Sequence, residues 1–321
     1  MKGLVLESHG HRVLARILNE EAPVVQATLR GKIRLQKLKS TNPVCCGDIV
    51  ELCYNQGTGD WTVESVEDRR NHMVRKATNL SKQTHALAAN LDRVWMVCSL
   101  FEPRFSGGFA DRIALTAAAF GIPCHLVLNK SDRWTVEDRT LAEHWRLVYA
   151  DAGIETWFCS ALNGDGIPEL AEAMKQGTQL LTGYSGAGKS SLINALFPGL
   201  QAATGAISAY SGKGTHTTTA ATLYETGPGT AVIDSPGIKE WGILDLQPYE
   251  IAYHFREIRE IAPACRFPNC SHSHEPSCAV QEAVKSSPTC TFLMCEIAVS
   301  ILTHCTPCAF EAKAIAESAS A

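Results

Sequence analysis

Near the middle of the chain, Gly183-Tyr-Ser-Gly-Ala-Gly-Lys189-Ser190 sets glycines, a lysine and a hydroxyl at the spacing G-x-x-x-x-G-K-S. Glycines let a backbone turn tightly enough for successive N–H groups to surround phosphate oxygens, and a following helix adds the positive end of its dipole. Lys189 is placed to neutralise β and γ phosphates and Ser190 to ligate Mg²⁺. Gly183, Tyr184, Ser185, Gly186, Ala187, Gly188 and Ser191 complete the stretch that would line such a cradle. Its context fits, because the apolar "QLLTG" before it reads as a strand and "SSLINALF" after it as a helix. A glycine-rich turn that ends by chance in Lys-Ser is the bland alternative, and both flanks weigh against it.

A phosphate cradle does not identify a base. Asn129-Lys130-Ser131-Asp132, at the end of the apolar run "CHLVLN", supplies a carboxylate that can accept from the ring N–H and exocyclic amine of guanine. Adenine offers no such pair, and sites built on polar complementarity discriminate by about 10⁴ or more. Ser160 and Ala161 in "CSA" end another strand and could support the base through the backbone. Asp234-Ser-Pro-Gly237, after "TAVI", is a D-x-x-G with which an acid can hold Mg²⁺ through water and a glycine N–H can sense a γ-phosphate. The hydroxyl-rich "SGKGTHTTT" at 211–219 suits a loop that orders around metal and γ-phosphate, with Thr217 or Thr218 as ligand.

A second kind of chemistry lies downstream. "CRFPNCSHSHEPSC", residues 265–278, offers Cys265, Cys270 and Cys278 with His272 or His274. Three thiolates and one imidazole make a closed tetrahedral zinc shell, with no position for water and therefore a structural task.

These groups need elements to position them. At 321 residues, 45% hydrophobic and 19% charged, the chain is long enough for two or three folded domains. Its formal charge of −4 argues against a uniformly basic nucleic-acid coat. Locally, residues 1–40 hold eight Lys or Arg against three Glu, a net of +5. No secretory signal is read at the amino terminus, so a cytoplasmic protein is expected. The thirteen cysteines are then more readily reduced thiols and metal ligands than a disulfide framework. The apolar run "CTFLMCEIAVSILTHC" is interrupted by Glu296 and falls short of the roughly 20 residues of a membrane helix. No membrane span and a monomer are expected.

Residues 1–68 read as a small β-barrel of short alternating strands, including "RGKIRLQKL", "GDIVEL" and "GDWTVESV". Arg30, Lys32 and Arg34, followed by Lys37 and Lys39, form a basic face suited to RNA phosphates or simply to solvent. Residues 69–243 carry βαβ texture, with near-continuous apolar strands and the helix "GGFADRIALTAAAFG". Residues 244–321 begin helical over 245–261 and hold the Cys/His segment.

The base motif here precedes the phosphate loop, a rotation of the usual order. Loops of an open parallel sheet gather at its carboxyl edge, and joined termini leave the pocket intact, so rewiring changes connectivity only. In this order the chain resembles the circularly permuted GTPases. Among these it is similar to the small-ribosomal-subunit-dependent GTPase A family, a bacterial factor in late small-subunit maturation. "RGK", "GDIV", the five GTPase segments, "GKGTHTT" and the zinc segment carry this similarity over about residues 1–285.

The resemblance implies a circularly permuted P-loop GTPase domain with an N-terminal OB-like barrel and a C-terminal zinc-binding helical domain. It implies GTP with Mg²⁺, one structural Zn²⁺ on Cys265, Cys270, His272 and Cys278, and the small (30S) ribosomal subunit and its rRNA as partners. Ile238 stands where many GTPases place a water-orienting Gln. His216, with support from the family, is expected to orient water instead, with hydrolysis stimulated by the subunit. A P-loop ATPase, or a scaffold that binds nucleotide and RNA without turnover, are the rival classes. The tail 286–321 departs from the polar helix expected of the family, with four cysteines and few charges.

Overall fold

The computed structural model describes residues 1–19, 21–31, 43–76, 84–200, 220–238, 241–242, 248–272 and 275–286. Five strands, β1 (Lys2–His9), β2 (Arg12–Ile17), β3 (Val24–Leu29), β4 (Ile49–Asn55) and β5 (Asp60–Val66), close on themselves in the order β1-β2-β3-β5-β4-β1. Alternate residues point inward, so Val5, Val13, Ala15, Ile17, Ala27, Val50, Leu52 and Val63 form its core. β3 and β5 are parallel and every other pairing is antiparallel, the wiring of an OB-like barrel. The strand expected over "RGKIRLQKL" is not seen in what is described: β3 ends at Leu29, and 32–42 lies outside the described residues.

The barrel is locked by a buried ion pair. Asp48, fully buried, accepts from Arg69 Nε at 2.6 Å and Nη2 at 2.7 Å, and from the Cys45 N–H at 2.8 Å. Arg69 leads into the hairpin of β6 (His72–Lys76) and β7 (Thr84–Ala89), which hydrogen-bonds back to the barrel from Ala89 N to Cys46 O.

A six-stranded sheet follows, made of β8 (Arg93–Ser99), β9 (Cys124–Asn129), β10 (Thr156–Phe158), β11 (Gly177–Thr182), β12 (Thr222–Gly227) and β13 (Thr230–Asp234). Its order is β10-β9-β8-β11-β13-β12, parallel except for β12. Burial on both faces explains the continuous apolar strands, as in β8 where Val94 to Ser99 are all buried. Helix α1 (Gly107–Ala119) covers one face. On the other, α3 (Ile167–Ala173) and α4 (Lys189–Leu196) bury Leu170, Leu192, Ile193 and Leu196, each contributing about 1.5–3 kcal/mol. Helix α2 (Val136–Asp151), started by a capping box of Thr135 and Asp138, joins β9 to β10.

β12 also pairs with β1 of the barrel, Glu7 facing Thr222, so barrel and sheet share one run of eleven strands. The helical stretch expected over 245–261 is two helices, α5 (Pro248–His254) and α6 (Arg256–Ile261). Phe255 between them is extended and 2% exposed, because sinking its ring into the core against α1 takes its backbone out of helical geometry. Helix α7 (Ala279–Ser286) follows the Cys/His segment, and the tail 287–321 lies outside the described residues.

Candidate functional site

Parallel pairing brings four loops to one edge. β8, β9, β10, β11 and β13 run side by side, with Ser99 opposite Asn129, Phe158 opposite Leu128 and Leu181 opposite Asp234. The loops that begin after Asn129, Phe158, Thr182 and Asp234 therefore leave the sheet together.

The phosphate loop wraps its own lysine. Lys189 is 6% exposed and donates to the Gly183 and Tyr184 carbonyl oxygens at 3.0 and 2.9 Å. Burial lowers its pKa, countered by the nearby Asp234 carboxylate. Gly188 caps α4 with φ +91°, and a Cβ there would meet Asn129 Nδ2 at 2.4 Å, so glycine is required twice over.

Asn129 is the joint between motifs. Its Nδ2 donates to the Ala187 carbonyl oxygen at 3.0 Å and its Oδ1 accepts the Ala161 N–H at 3.1 Å, with the residue 2% exposed. Lys130 Nζ donates to the Gly186 carbonyl oxygen at 2.8 Å and also to that of Glu102. Ser131 N–H reaches the Cys159 carbonyl, and the Ser160 hydroxyl donates to Asp132 while accepting the Leu162 and Asn163 N–H groups. Residues 129–132, 160–161 and 183–189 thus form one hydrogen-bonded body.

Asp234 faces the cradle from the adjacent strand. Ser190 Oγ donates to Asp234 Oδ2 at 2.7 Å, while Oδ1 is buried with no hydrogen-bond partner among the described residues. Burial raises the Asp234 pKa, partly offset by Ser190 and Lys189. A hydroxyl beside an orphaned carboxylate oxygen is a donor set fitted to a hard cation such as Mg²⁺. Gly237 sits on the phosphate loop, where a Cβ would lie 2.6 Å from Ser185 Cα. Ile238 is fully buried, donates its N–H to the Gly183 carbonyl at 3.2 Å and bridges Tyr184, so its side chain has no access to an attacking water. Ser191 is exposed on the first turn of α4. His216, Thr217, Thr218, Lys32 and Arg34 lie outside the described residues, and Arg30 is paired with Glu64 at 2.5 Å.

The Cys/His segment folds onto itself. Ligand atoms of Cys265, Cys270, His272 and Cys278 all lie within 4.8 Å of one another. Cys265 Sγ is 3.9 Å from Cys278 Sγ and 3.6 Å from His272 Nδ1, close to the edge of about 3.8 Å of a tetrahedron with zinc–sulfur bonds of about 2.3 Å. The set fits a tetrahedral soft-ligand metal, with Nδ1 as the imidazole donor.

Sequence reasoning missed the contributions of Glu102 and Phe109. Glu102 lies just past β8, whose carboxyl end falls at the same sheet edge, a placement that could have flagged it; it also pairs with Arg133 at 2.5 Å. The Phe109 ring stacks on Tyr184 with centroids 3.8 Å apart, and no local pattern announces that contact.

A sheet of this order, with base, phosphate-loop and D-x-x-G segments joined in rotated sequence, defines a circularly permuted GTPase. The pattern of the RsgA GTPase family matches residues 66–244, and the chain belongs to that family. It is 39% identical over 285 residues to the small ribosomal subunit biogenesis GTPase RsgA of Phocaeicola vulgatus, covering 89% of this chain and 91% of that one. It is 40% identical over 289 residues to the protein of the same name from Porphyromonas gingivalis, with the same coverage. Among solved structures, YjeQ from Thermotoga maritima superposes with a TM-score of 0.71 at 30% identity, covering 95% of this chain and 98% of that chain. YloQ, a circularly permuted GTPase, shares the fold at a TM-score of 0.67, with 24% identity and coverage of 95% and 94%. Among the described residues no helix is long and apolar enough to cross a membrane.

Proposed function

We propose that this chain binds GTP across the loops after β9, β10, β11 and β13 and hydrolyses it during late maturation of the small ribosomal subunit. The observation that carries the reading is Asn129, bonded at once to Ala187 of the phosphate loop and Ala161 of the "SA" turn. One residue thereby fixes the distance between the base end and the phosphate end of a single ligand.

Asp132 accepts the ring N–H and amine of guanine, with Ser160 and Ala161 supporting the base and Lys130 bracing the base loop against Gly186. Lys189 and the N–H groups of residues 184–190 surround the phosphates, whose charge spreads over the equatorial oxygens as the γ-phosphoryl transfers. Preorganised donors of this kind stabilise that charge without reorganisation. Mg²⁺, when bound, neutralises the same oxygens, held by Ser190, by Thr217 or Thr218, and through water by Asp234. Gly237 offers its N–H to the γ-phosphate. Because Ile238 is apolar and buried, His216 orients the attacking water.

The work divides as 1–68 for an RNA-binding barrel, 69–243 for the GTPase domain and 244–321 for the zinc-binding unit. Zn²⁺ on Cys265, Cys270, His272 and Cys278 stabilises that unit. Arg30, Lys32 and Arg34 add salt-sensitive contacts to rRNA phosphates. The protein works as a cytoplasmic monomer. The test is hydrolysis of GTP and ATP by the purified chain with and without small subunits. Stimulated multiple turnover of GTP alone supports the reading; equal use of ATP, or no effect of subunits, defeats it.

A further inference from the structure

A buried polar contact ties the segment after the D-x-x-G turn to α1. Trp241 Nε1 donates to Thr116 Oγ1 at 3.0 Å, and each residue is 1% exposed. The acceptor is oriented by its own helix, since the same hydroxyl donates to the Arg112 carbonyl oxygen at 2.8 Å. Thr116 lies two turns beyond Phe109 on α1, hence on the same helix face. Phe109 carries the stacked ring of Tyr184, and Tyr184 bridges Ile238. Trp241 thus reaches α1 through Thr116, and Ile238 reaches the same helix through Tyr184 and Phe109; Gly237 is the residue directly before Ile238.

Gly237 is consequently fixed from both sides. Upstream, Ser235 N–H donates to the Leu181 carbonyl at 3.2 Å; downstream, Ile238 N–H holds Gly183 and Trp241 holds Thr116. We infer that Trp241, anchored by Thr116, is a positioning residue that aims the Gly237 N–H and so sets the preference for a nucleoside triphosphate over a diphosphate. The inference rests on the GTP reading above. An N–H bond to an anionic oxygen depends steeply on distance and angle. A segment released at its downstream anchor samples other orientations, and only the γ-phosphate, absent from a diphosphate, registers the loss.

A tryptophan that merely filled the core would behave differently, because its loss would weaken both nucleotides alike. The experiment titrates the full chain, with Mg²⁺, against GDP and a non-hydrolysable GTP analogue. Thr116→Val keeps the shape and removes the acceptor; Trp241→Phe keeps an aromatic ring and removes the donor. For each, triphosphate affinity is expected to fall about tenfold, the worth of one hydrogen bond to a charged group, with GDP affinity held within about twofold. Thr116→Ser, which retains the hydroxyl, restores the ratio. An unchanged ratio in the folded variants, or an equal loss for both nucleotides, overturns the inference. Should Thr116→Val fail to fold, Trp241→Phe decides alone. Failure of the unsubstituted chain to bind GDP would instead defeat the GTP reading, before any variant is compared.

Discussion

The Ser190 hydroxyl donates to one oxygen of Asp234 at 2.7 Å, and the other oxygen is buried with no hydrogen-bond partner among the described residues. A desolvated carboxylate with an unused lone pair is costly to the nucleotide-free protein and useful only when a cation arrives.

Burial holds the Asp234 pKa above its unfolded value, so its neutral form favours folding. That contribution is complete below the unfolded carboxylate range and is lost as pH rises through the folded pKa. Asp234→Asn should therefore raise the melting temperature of the nucleotide-free chain at pH 7.5, by an amount that shrinks toward pH 4. Subunit-stimulated GTP turnover should fall by at least about a hundredfold. Calorimetric scans at the two pH values check the first half, and a melting temperature that drops at pH 7.5 would sink it.

Asp132 accepts the Ser160 hydroxyl and is the carboxylate that the proposed reading gives to guanine. Asp132→Ala should weaken GDP binding by about 10³-fold or more, since base donors would lose their only charged acceptor. Isothermal titration with GDP and ADP measures this. Comparable losses for both nucleotides would mean that the residue holds the loop rather than reads the base.

Arg69 and Asp48 form a two-pronged pair with Asp48 fully buried. Arg69→Met leaves the carboxylate uncompensated and should destabilise the chain by about 3–5 kcal/mol. The double variant Arg69→Met, Asp48→Leu should recover much of that loss. Chemical denaturation of both variants gives the comparison, and near-equal stability of Arg69→Met and the parent would contradict it.

Removing metal from Cys265, Cys270, His272 and Cys278 should unfold the segment around them, because three thiols and an imidazole converging within 4.8 Å would lose the ion that joins them. A strong chelator should release one equivalent of zinc and lower the helical circular dichroism, while GDP affinity changes little. Stoichiometric release without spectral change would assign the ion no structural work.

Much of this was legible in the sequence because chemistry demands local patterns. The phosphate loop, the base motif and the Cys/His spacing each fit within a few consecutive turns of chain, and the fully buried parallel strands announce themselves by unbroken apolar runs. Long-range contacts leave no such trace. Nothing near Asn129 predicts its bond to Ala187, 58 residues later, and nothing near Thr116 predicts Trp241, 125 residues on. The break at Phe255 is of the same kind, since a helical pattern yields when the core claims a ring from its middle.

The meeting of Glu7 with Thr222 has a mechanical consequence. Thr222 Oγ1 bonds the Glu7 carboxylate, and the Cys46 thiol reaches both the Leu6 and Ala221 carbonyl oxygens. The barrel is thus stitched to β12 at its first residue, Thr222. Any strain placed on the barrel therefore reaches the start of β12 through two adjoining backbones, with no lever or messenger between them.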